Sequence, residues 1–285
     1  MPGTLYIVAT PIGNLEDMTY RAVRILGEVD LVAAEDTRHS LKLLTHFNIS
    51  KPLTSYFDHN QQFKGERILD SLRRGKNVAL ISDAGTPCVS DPGFQLVRDA
   101  VAEKIRVIPV PGPCAAIASL SASGLPSDLF TFAGFPPSRQ GKRRTFLTGL
   151  TGFPGTLVLY EAPHRLVATL RDMLAVMGER QIVVARELTK IYEELIRGTV
   201  SEVMAAVSQG KVRGEVVIVV APGESLEQDV EPLDRLLLRL MGQGLSVKDA
   251  SRKAADIQGV SRNEVYNEAL RLKSAVLHEK ILELQ

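Results

Sequence analysis

Short runs of β-branched and aliphatic residues alternate with amphipathic stretches, and that rhythm limits the chain to a layered α/β fold. Leu5-Tyr6-Ile7-Val8, Asp30-Leu31-Val32-Ala33-Ala34, Val78-Ala79-Leu80-Ile81 and Val107-Ile108-Pro109-Val110 read as strands, with a further short one near 52–56. Between them, Ala22, Ile25, Leu26 and Val29 recur at helical spacing, as do Ile68, Leu69 and Leu72, and a helix is expected over roughly 39–47. Continuous apolar strands separated by helices predict a parallel sheet with both faces covered.

A second α/β block is expected from about residue 124, after the hinge-like Gly124-Leu125-Pro126-Ser127. Its strands are Leu157-Val158-Leu159-Tyr160, Ile182-Val183-Val184-Ala185 and Val216 to Val220, and a helix through Leu166, Leu170 and Leu174 separates the first two. Residues 226–285 carry no strand signal. There Leu233, Leu236, Leu237, Leu240 and Met241 fall at helical spacing, and two more helices are expected around 246–257 and 262–273, parted by Gln258-Gly259-Val260-Ser261. That pattern fits a helix-turn-helix unit and, equally, a small packing cap. The expected organisation is 1–123, 124–225 and 226–285.

The chain has no Trp and only 5% aromatic residues, so its core must rest on Val, Ile, Leu and Ala. A net charge of +1 gives no general attraction for nucleic acid, so any RNA contact must come from a local patch. Cys88 and Cys114 show no metal-ligand spacing and the histidines are scattered, so no metal is expected. No apolar run approaches the ~18 residues of a membrane span, and MPGTLYIVATPIG lacks the features of a secretory leader. A reduced, soluble, cytoplasmic protein without a membrane partner is expected.

Ligands of open α/β sheets bind at the carboxyl ends of strands, and three Gly/Pro-rich loops occupy such positions. They are Thr10-Pro11-Ile12-Gly13-Asn14, then Ser82 to Pro87 running on to Ser90-Asp91-Pro92-Gly93, and Pro109 to Ala116. Small residues let main-chain groups approach a ligand, and Pro stiffens the loop. Asp83 is placed to accept hydrogen bonds from ligand hydroxyls or an amine. G-x-G-x-x-G, G-x-x-x-x-G-K-[ST], H-E-x-x-H and C-x-x-C are all missing, which weakens nicotinamide, P-loop and zinc-hydrolase readings.

The blocks TPIGNLEDMTYRA, AAEDTR, LISDAGTPCVSDPG, PGPCAA, GLPSDLFTFAGFPP, YEAPHRL, ARELTK and EELIRG follow one another over about residues 4–222. In that order they resemble the tetrapyrrole-methylase family. EDTR, SDAGTP…SDPG and YEAPHR resemble most closely its bacterial branch that methylates a cytidine ribose 2′-hydroxyl in 16S ribosomal RNA. The resemblance implies two αβα domains with the active site in the cleft between them, a small C-terminal helical unit, S-adenosylmethionine as cofactor and a homodimer. By position it places the cofactor on Pro11, Ala84, Gly85, Thr86, Val89, Cys114, Ala115, Tyr160, Glu161, Leu188 and near Glu215.

Two polar clusters have no evident folding role. Glu35-Asp36-Thr37-Arg38 follows a strand and opens a helix, and Arg186-Glu187 with Lys190 forms the second. A ribose hydroxyl is a poor nucleophile while protonated, so Asp36 or Glu187 is the expected proton acceptor, with Arg38 fixing a phosphate or orienting the carboxylate. The bland alternative is that Asp36 or Thr37 caps the following helix, with Glu35 in solvent. The run Ser138-Arg139-Gln140-Gly141-Lys142-Arg143-Arg144 is the best phosphate-binding candidate in a nearly neutral chain, through Arg139, Lys142, Arg143 and Arg144. The expected substrate is 16S RNA or the small ribosomal subunit. A methyltransferase acting on a porphyrin-type ring is the alternative, and a non-catalytic nucleic-acid binder is a third reading.

Overall fold

The computed structural model describes residues 1–57, 61–210, 213–223, 232–258 and 260–282, with side chains omitted at 61–62 and 275–282. The expected boundary at 225/226 and Gly259 of the expected turn lie outside the described residues. Contacts divide the chain into two compact units, Met1–Gly223 and Glu224–Gln285.

The first unit begins with strands β1 (Thr4–Val8), β2 (Leu31–Ala34), β3 (Leu53–Ser55), β4 (Val78–Ile81) and β5 (Arg106–Val110). Helices α1 (Tyr20–Glu28), α2 (Thr37–His46), α3 (Gln61–Arg73), α4 (Phe94–Ala102) and α5 (Ala115–Ser123) connect and follow them. All pairings are parallel, in the order β3-β2-β4-β1-β5. Tyr6 of β1 pairs with Ala79 on one side and Ile108 on the other. The sheet is apolar on both faces. Val8, Val32, Ala34 and Ile81 meet α1 and α2 residues in one cluster, while Leu5, Ala33, Val78 and Leu80 meet Ile68, Leu72 and Leu96 in another. Truncating any of these large buried residues to Ala would cost about 2–5 kcal/mol.

The second sheet contains β6 (Phe130–Gly134), β7 (Thr156–Glu161), β8 (Gln181–Arg186), β9 (Glu194–Thr199) and β10 (Val216–Val220). Its helices are α6 (Gln140–Leu150), α7 (Leu166–Met177) and α8 (Val200–Ser208). The order is β6-β7-β10-β8-β9, and only β6 and β7 are parallel; β10 runs antiparallel to both its neighbours. The sequence pattern reveals the three inner strands and misses β6 and β9. The missed pair are the edges, whose half-exposed residues interrupt the apolar run.

The second unit is helical: α9 (Leu233–Gly242), α10 (Val247–Gln258) and α11 (Arg262–Leu282). Leu236, Leu237 and Leu240 bury against Ala250, Ala254, Val265 and Ala269, so the three helices share a core of their own.

Candidate active site

The loops after β1, β4 and β5 meet at the carboxyl end of the parallel sheet. Thr10 and Gly85 exchange two main-chain hydrogen bonds, of 2.8 and 3.0 Å. The Thr10 hydroxyl donates to the Ser82 carbonyl at 3.1 Å, and the Thr86 hydroxyl donates to the Pro113 carbonyl at 3.1 Å. The three Gly/Pro-rich loops thereby form one ledge. Gly85 sits at φ 85°, and a Cβ there would stand 3.3 Å from Cγ2 of Ile12. Glycine satisfies both the left-handed backbone and the close approach.

The ledge walls a cavity of about 400 Å³, within the ~300–1,000 Å³ usual for small-ligand sites. Asp83, Ala84, Gly85, Thr86 and Val89 line it from the β4 loop, and Cys114 and Ala115 from the β5 loop. Tyr160 and Glu161 at the end of β7, and Glu215 just before β10, line it as well. Two of the expected cofactor residues fall outside this wall. Pro11 is buried behind Ile12, which takes its place, and Leu188 packs into the cluster of Val217, Tyr160 and Ala115.

Each wall residue has a distinct local support. The Asp83 Oδ1 accepts the Asp36 N–H at 3.0 Å. The buried carboxylate of Glu161 accepts from Ala162 N and Arg165 Nε, both at 2.7 Å, and from the Thr169 hydroxyl. Its side chain is therefore committed to the protein. The Tyr160 hydroxyl accepts the Ala116 N–H at 3.2 Å, and burial pushes its pKa up to about 12, so it stays neutral. Cys88 and Ser90 hold φ of 69° and 62°, a backbone that costs non-glycine residues about 1–3 kcal/mol each and is common at ligand loops. That loop brings Ser90 and Asp91 onto the wall.

The expected catalytic residues lie outside the cavity wall. Asp36 is the N-cap of α2, its Oδ1 accepting the Arg38 N–H at 2.8 Å and its Oδ2 meeting Arg38 Nη2 at 2.9 Å. The Arg38 hydrogen bonds pull its pKa down to about 2. Neither Asp36 nor Arg38 lines the cavity, whereas their neighbour Glu35 does. Glu187 accepts from Lys190 Nζ at 2.9 Å and from Glu215 N at 3.2 Å, and the Lys190 bond holds its carboxyl below the ordinary range. It lines a separate, more open cleft of about 830 Å³ with Gly13, Lys190 and Tyr192. That cleft is larger, but the strand-end loops converge on the smaller cavity, which is the better ligand site.

The basic run also divides. Arg143 is one turn into α6 with a side chain only 6% exposed, and it binds Asp172 of α7 through Nε at 2.8 Å and Nη2 at 2.6 Å. That pairing engages its guanidinium inside the protein. Arg144 Nε bonds the other Asp172 oxygen at 2.8 Å while its side chain stays about half exposed. Arg139 and Lys142 are exposed and have no ion pair among the described residues. Ile12, Glu35, Ser90, Asp91, Phe135 and Val217 are wall residues beyond the expected set. Their only advance signal was position: Ser90 and Asp91 lie in a quoted loop, and Glu35 begins a polar cluster. Among the described residues no group of His, Cys, Asp and Glu could hold a metal, and no helix is long and apolar enough to cross a membrane.

Comparison with known proteins adds the family. A protein named ribosomal RNA small subunit methyltransferase I from Escherichia coli O157:H7 is 49% identical over 272 residues, covering 94% of this chain and 95% of its own. One of the same name from Pseudomonas aeruginosa is 49% identical over 275 residues, covering 94% and 97%. Among solved structures, a uroporphyrin-III C-methyl transferase from Thermus thermophilus complexed with S-adenyl homocysteine has a TM-score of 0.53 at 22% identity, over 77% of this chain and 97% of that one. That likeness is one of fold. The family description RsmI C-terminal HTH domain matches residues 227–273. Because the description Tetrapyrrole (Corrin/Porphyrin) Methylases matches residues 4–204, most of the chain, this protein belongs to the tetrapyrrole methylase family.

Proposed function

We propose that the chain transfers a methyl group from S-adenosylmethionine to the ribose 2′-hydroxyl of a cytidine in 16S ribosomal RNA, acting as a cytoplasmic homodimer on RNA or the small subunit. The observation that carries this reading is the near-full-length similarity to proteins named ribosomal RNA small subunit methyltransferase I, which runs through the C-terminal helices as well as the α/β part. The cavity chemistry supports it. Glu35, Asp83, Asp91, Glu161 and Glu215 are the charged residues of its wall among the described residues, with Glu161 bonded to Arg165 and Glu215 3.3 Å from Lys190. A wall of carboxylates suits a cationic ligand and repels an anionic one. S-adenosylmethionine carries a sulfonium and an ammonium, so the residues present fit it.

When bound, that cofactor supplies an electrophilic methyl on a positively charged sulfur. The protein's part is to hold the 2′-oxygen in line behind it and exclude other poses. Ala84 and Gly85 let main-chain groups approach, and Asp83 accepts from a hydroxyl or amine. The 2′-oxygen loses its proton as it bonds to carbon, and Glu35 replaces Asp36 and Glu187 as the acceptor because it lines the cavity. Mass-spectrometric mapping of ribose methylation in 16S RNA from a strain lacking the gene, with and without its return, tests the reading. Identical maps would refute it.

A further inference from the structure

One aromatic ring in the cavity wall has no part in the chemistry above. Phe135 lines the cavity yet is 55% exposed. It lies edge-to-face with Tyr160, at 5.5 Å between centroids and 63° between planes. Tyr160 is itself fixed by the Ala116 bond and by Phe132 at 4.8 Å. The backbone on both sides of Phe135 is held. Gly134 turns the chain at φ 65°, and the carbonyl of buried Pro136 accepts Arg165 Nη2 at 2.8 Å. Arg165 in turn is bonded to the buried Glu161. A hydrogen-bonded frame thus leaves a large apolar ring of the cavity wall exposed to solvent. Such a ring contributes little to the core and is suited to a flat ligand.

The surroundings point to a nucleobase. Ser90 stands beside the segment that carries the ring: a Cβ on Gly134 would lie 3.5 Å from its Oγ. Ser90 and Asp91 line the same cavity as the ring and bring hydrogen-bonding groups near it. The exposed cations Arg139 and Lys142 follow a few residues later at the start of α6 and suit a flanking phosphate. A ribose can enter so confined a cavity only when its base has left the neighbouring stack, and extruded bases are received on aromatic faces.

We propose that Phe135 is the platform on which the base of the target nucleotide stacks, with Ser90 and Asp91 facing its polar edge. This rests on the RNA reading given above. Losing the platform by Phe135→Ala should lower kcat/KM for small subunits from the gene-deleted strain by about 5- to 150-fold, the range of one base–aromatic stack. Affinity for S-adenosylmethionine, measured by calorimetry, should not change. Phe135→Trp should keep activity and also places the only Trp in the chain at this point. Its fluorescence should be quenched by a single-stranded 16S RNA fragment containing the target cytidine, and not by one lacking that nucleotide. Full activity in Phe135→Ala overturns the proposal while leaving the RNA reading intact. A matching fall in cofactor affinity also overturns it, assigning the ring to the cofactor instead. If wild-type protein methylates no RNA, the reading itself fails and the proposal with it.

Discussion

The main-chain N–H of Asp36 donates to Oδ1 of Asp83 at 3.0 Å, locking the loop after β2 to the loop after β4 at the edge of the cavity. No donor among the described residues reaches Oδ2 of Asp83. The side chain thus has one oxygen for the fold and one for a ligand. Asp83→Asn can keep the amide oxygen on Asp36 and so preserve the loops, but it removes the charge. A hydrogen bond to a charged group contributes about 1.5–3 kcal/mol, so cofactor affinity should fall roughly 10- to 150-fold without a change in melting temperature. Unchanged affinity would place Asp83 outside the binding set.

Gly85→Val tests the ledge from another side. The new Cβ branches toward Ile12, and a β-branched residue resists φ 85°. Local strain of about 1–3 kcal/mol leaves the fold standing but displaces the wall. S-adenosylmethionine binding should be lost, as read by calorimetry, with circular dichroism unchanged. A folded variant that binds as tightly as wild type would show that the ligand lies elsewhere.

The two kinds of cation in the basic run should separate cleanly. Replacing Arg139 and Lys142 by Ala should weaken RNA binding, and each lost phosphate contact should lower the salt slope by about 0.7–0.9. Stability and cofactor affinity should stay as they were. Arg143→Ala instead leaves the fully buried Asp172 short of its main partner and should cost about 3–5 kcal/mol of stability. An unchanged slope in the double variant would mean that Arg139 and Lys142 serve only solubility.

Acid should act through the same pair. Burial raises the Asp172 pKa, but hydrogen bonds from Arg144, Arg143 and Gln140 together outweigh it, and the carboxyl lies below its ordinary value. A depressed pKa contributes stability that is fully present above the unfolded value of about 3.9 and lost as pH falls through the folded one. Asp172→Asn should therefore be less stable at neutral pH, yet lose less on acidification below about pH 4 than wild type does. Urea midpoints from pH 7 to pH 3 measure this. Parallel acid limbs in the two proteins would exclude the pair as a source of acid sensitivity.

What the sequence made legible followed from burial. Inner strands such as β4 and β10 are apolar on both faces, so Val78 to Ile81 and Val216 to Val220 announce themselves. Helix α5, Ala115 to Ser123, is small and apolar all round because it packs under the second sheet, and it gives no helical stripe to read. The strand-end loops were legible because Gly and Pro mark backbone demands that side chains do not hide. Side-chain partners were not. Nothing near Arg143 in sequence reveals Asp172, 29 positions away, so a structural ion pair looked like part of a solvent-facing run. Asp36 differs, because its capping role and its partner Arg38 were legible two residues away, whereas the reach of adjacent Glu35 into the cavity was not.

The C-terminal unit should recognise RNA and take no part in the chemistry. Its helices α9, α10 and α11 share a core of their own. The cations offered to a partner are of two sorts. Arg252 and Arg262 pair with Asp249 and Asp256 at 3.0 Å in exposed bridges worth about 0–1 kcal/mol, which a phosphate can displace. Lys248 and Lys253 are exposed as well. A chain ended after Gly223 should keep its melting temperature and its affinity for S-adenosylmethionine, yet lose most methylation of the small subunit. A cap would behave differently: its removal would expose apolar surface, and the truncated protein would aggregate or melt early. Normal methylation of the small subunit by a stable truncated chain would refute the recognition role, and early melting would establish the cap.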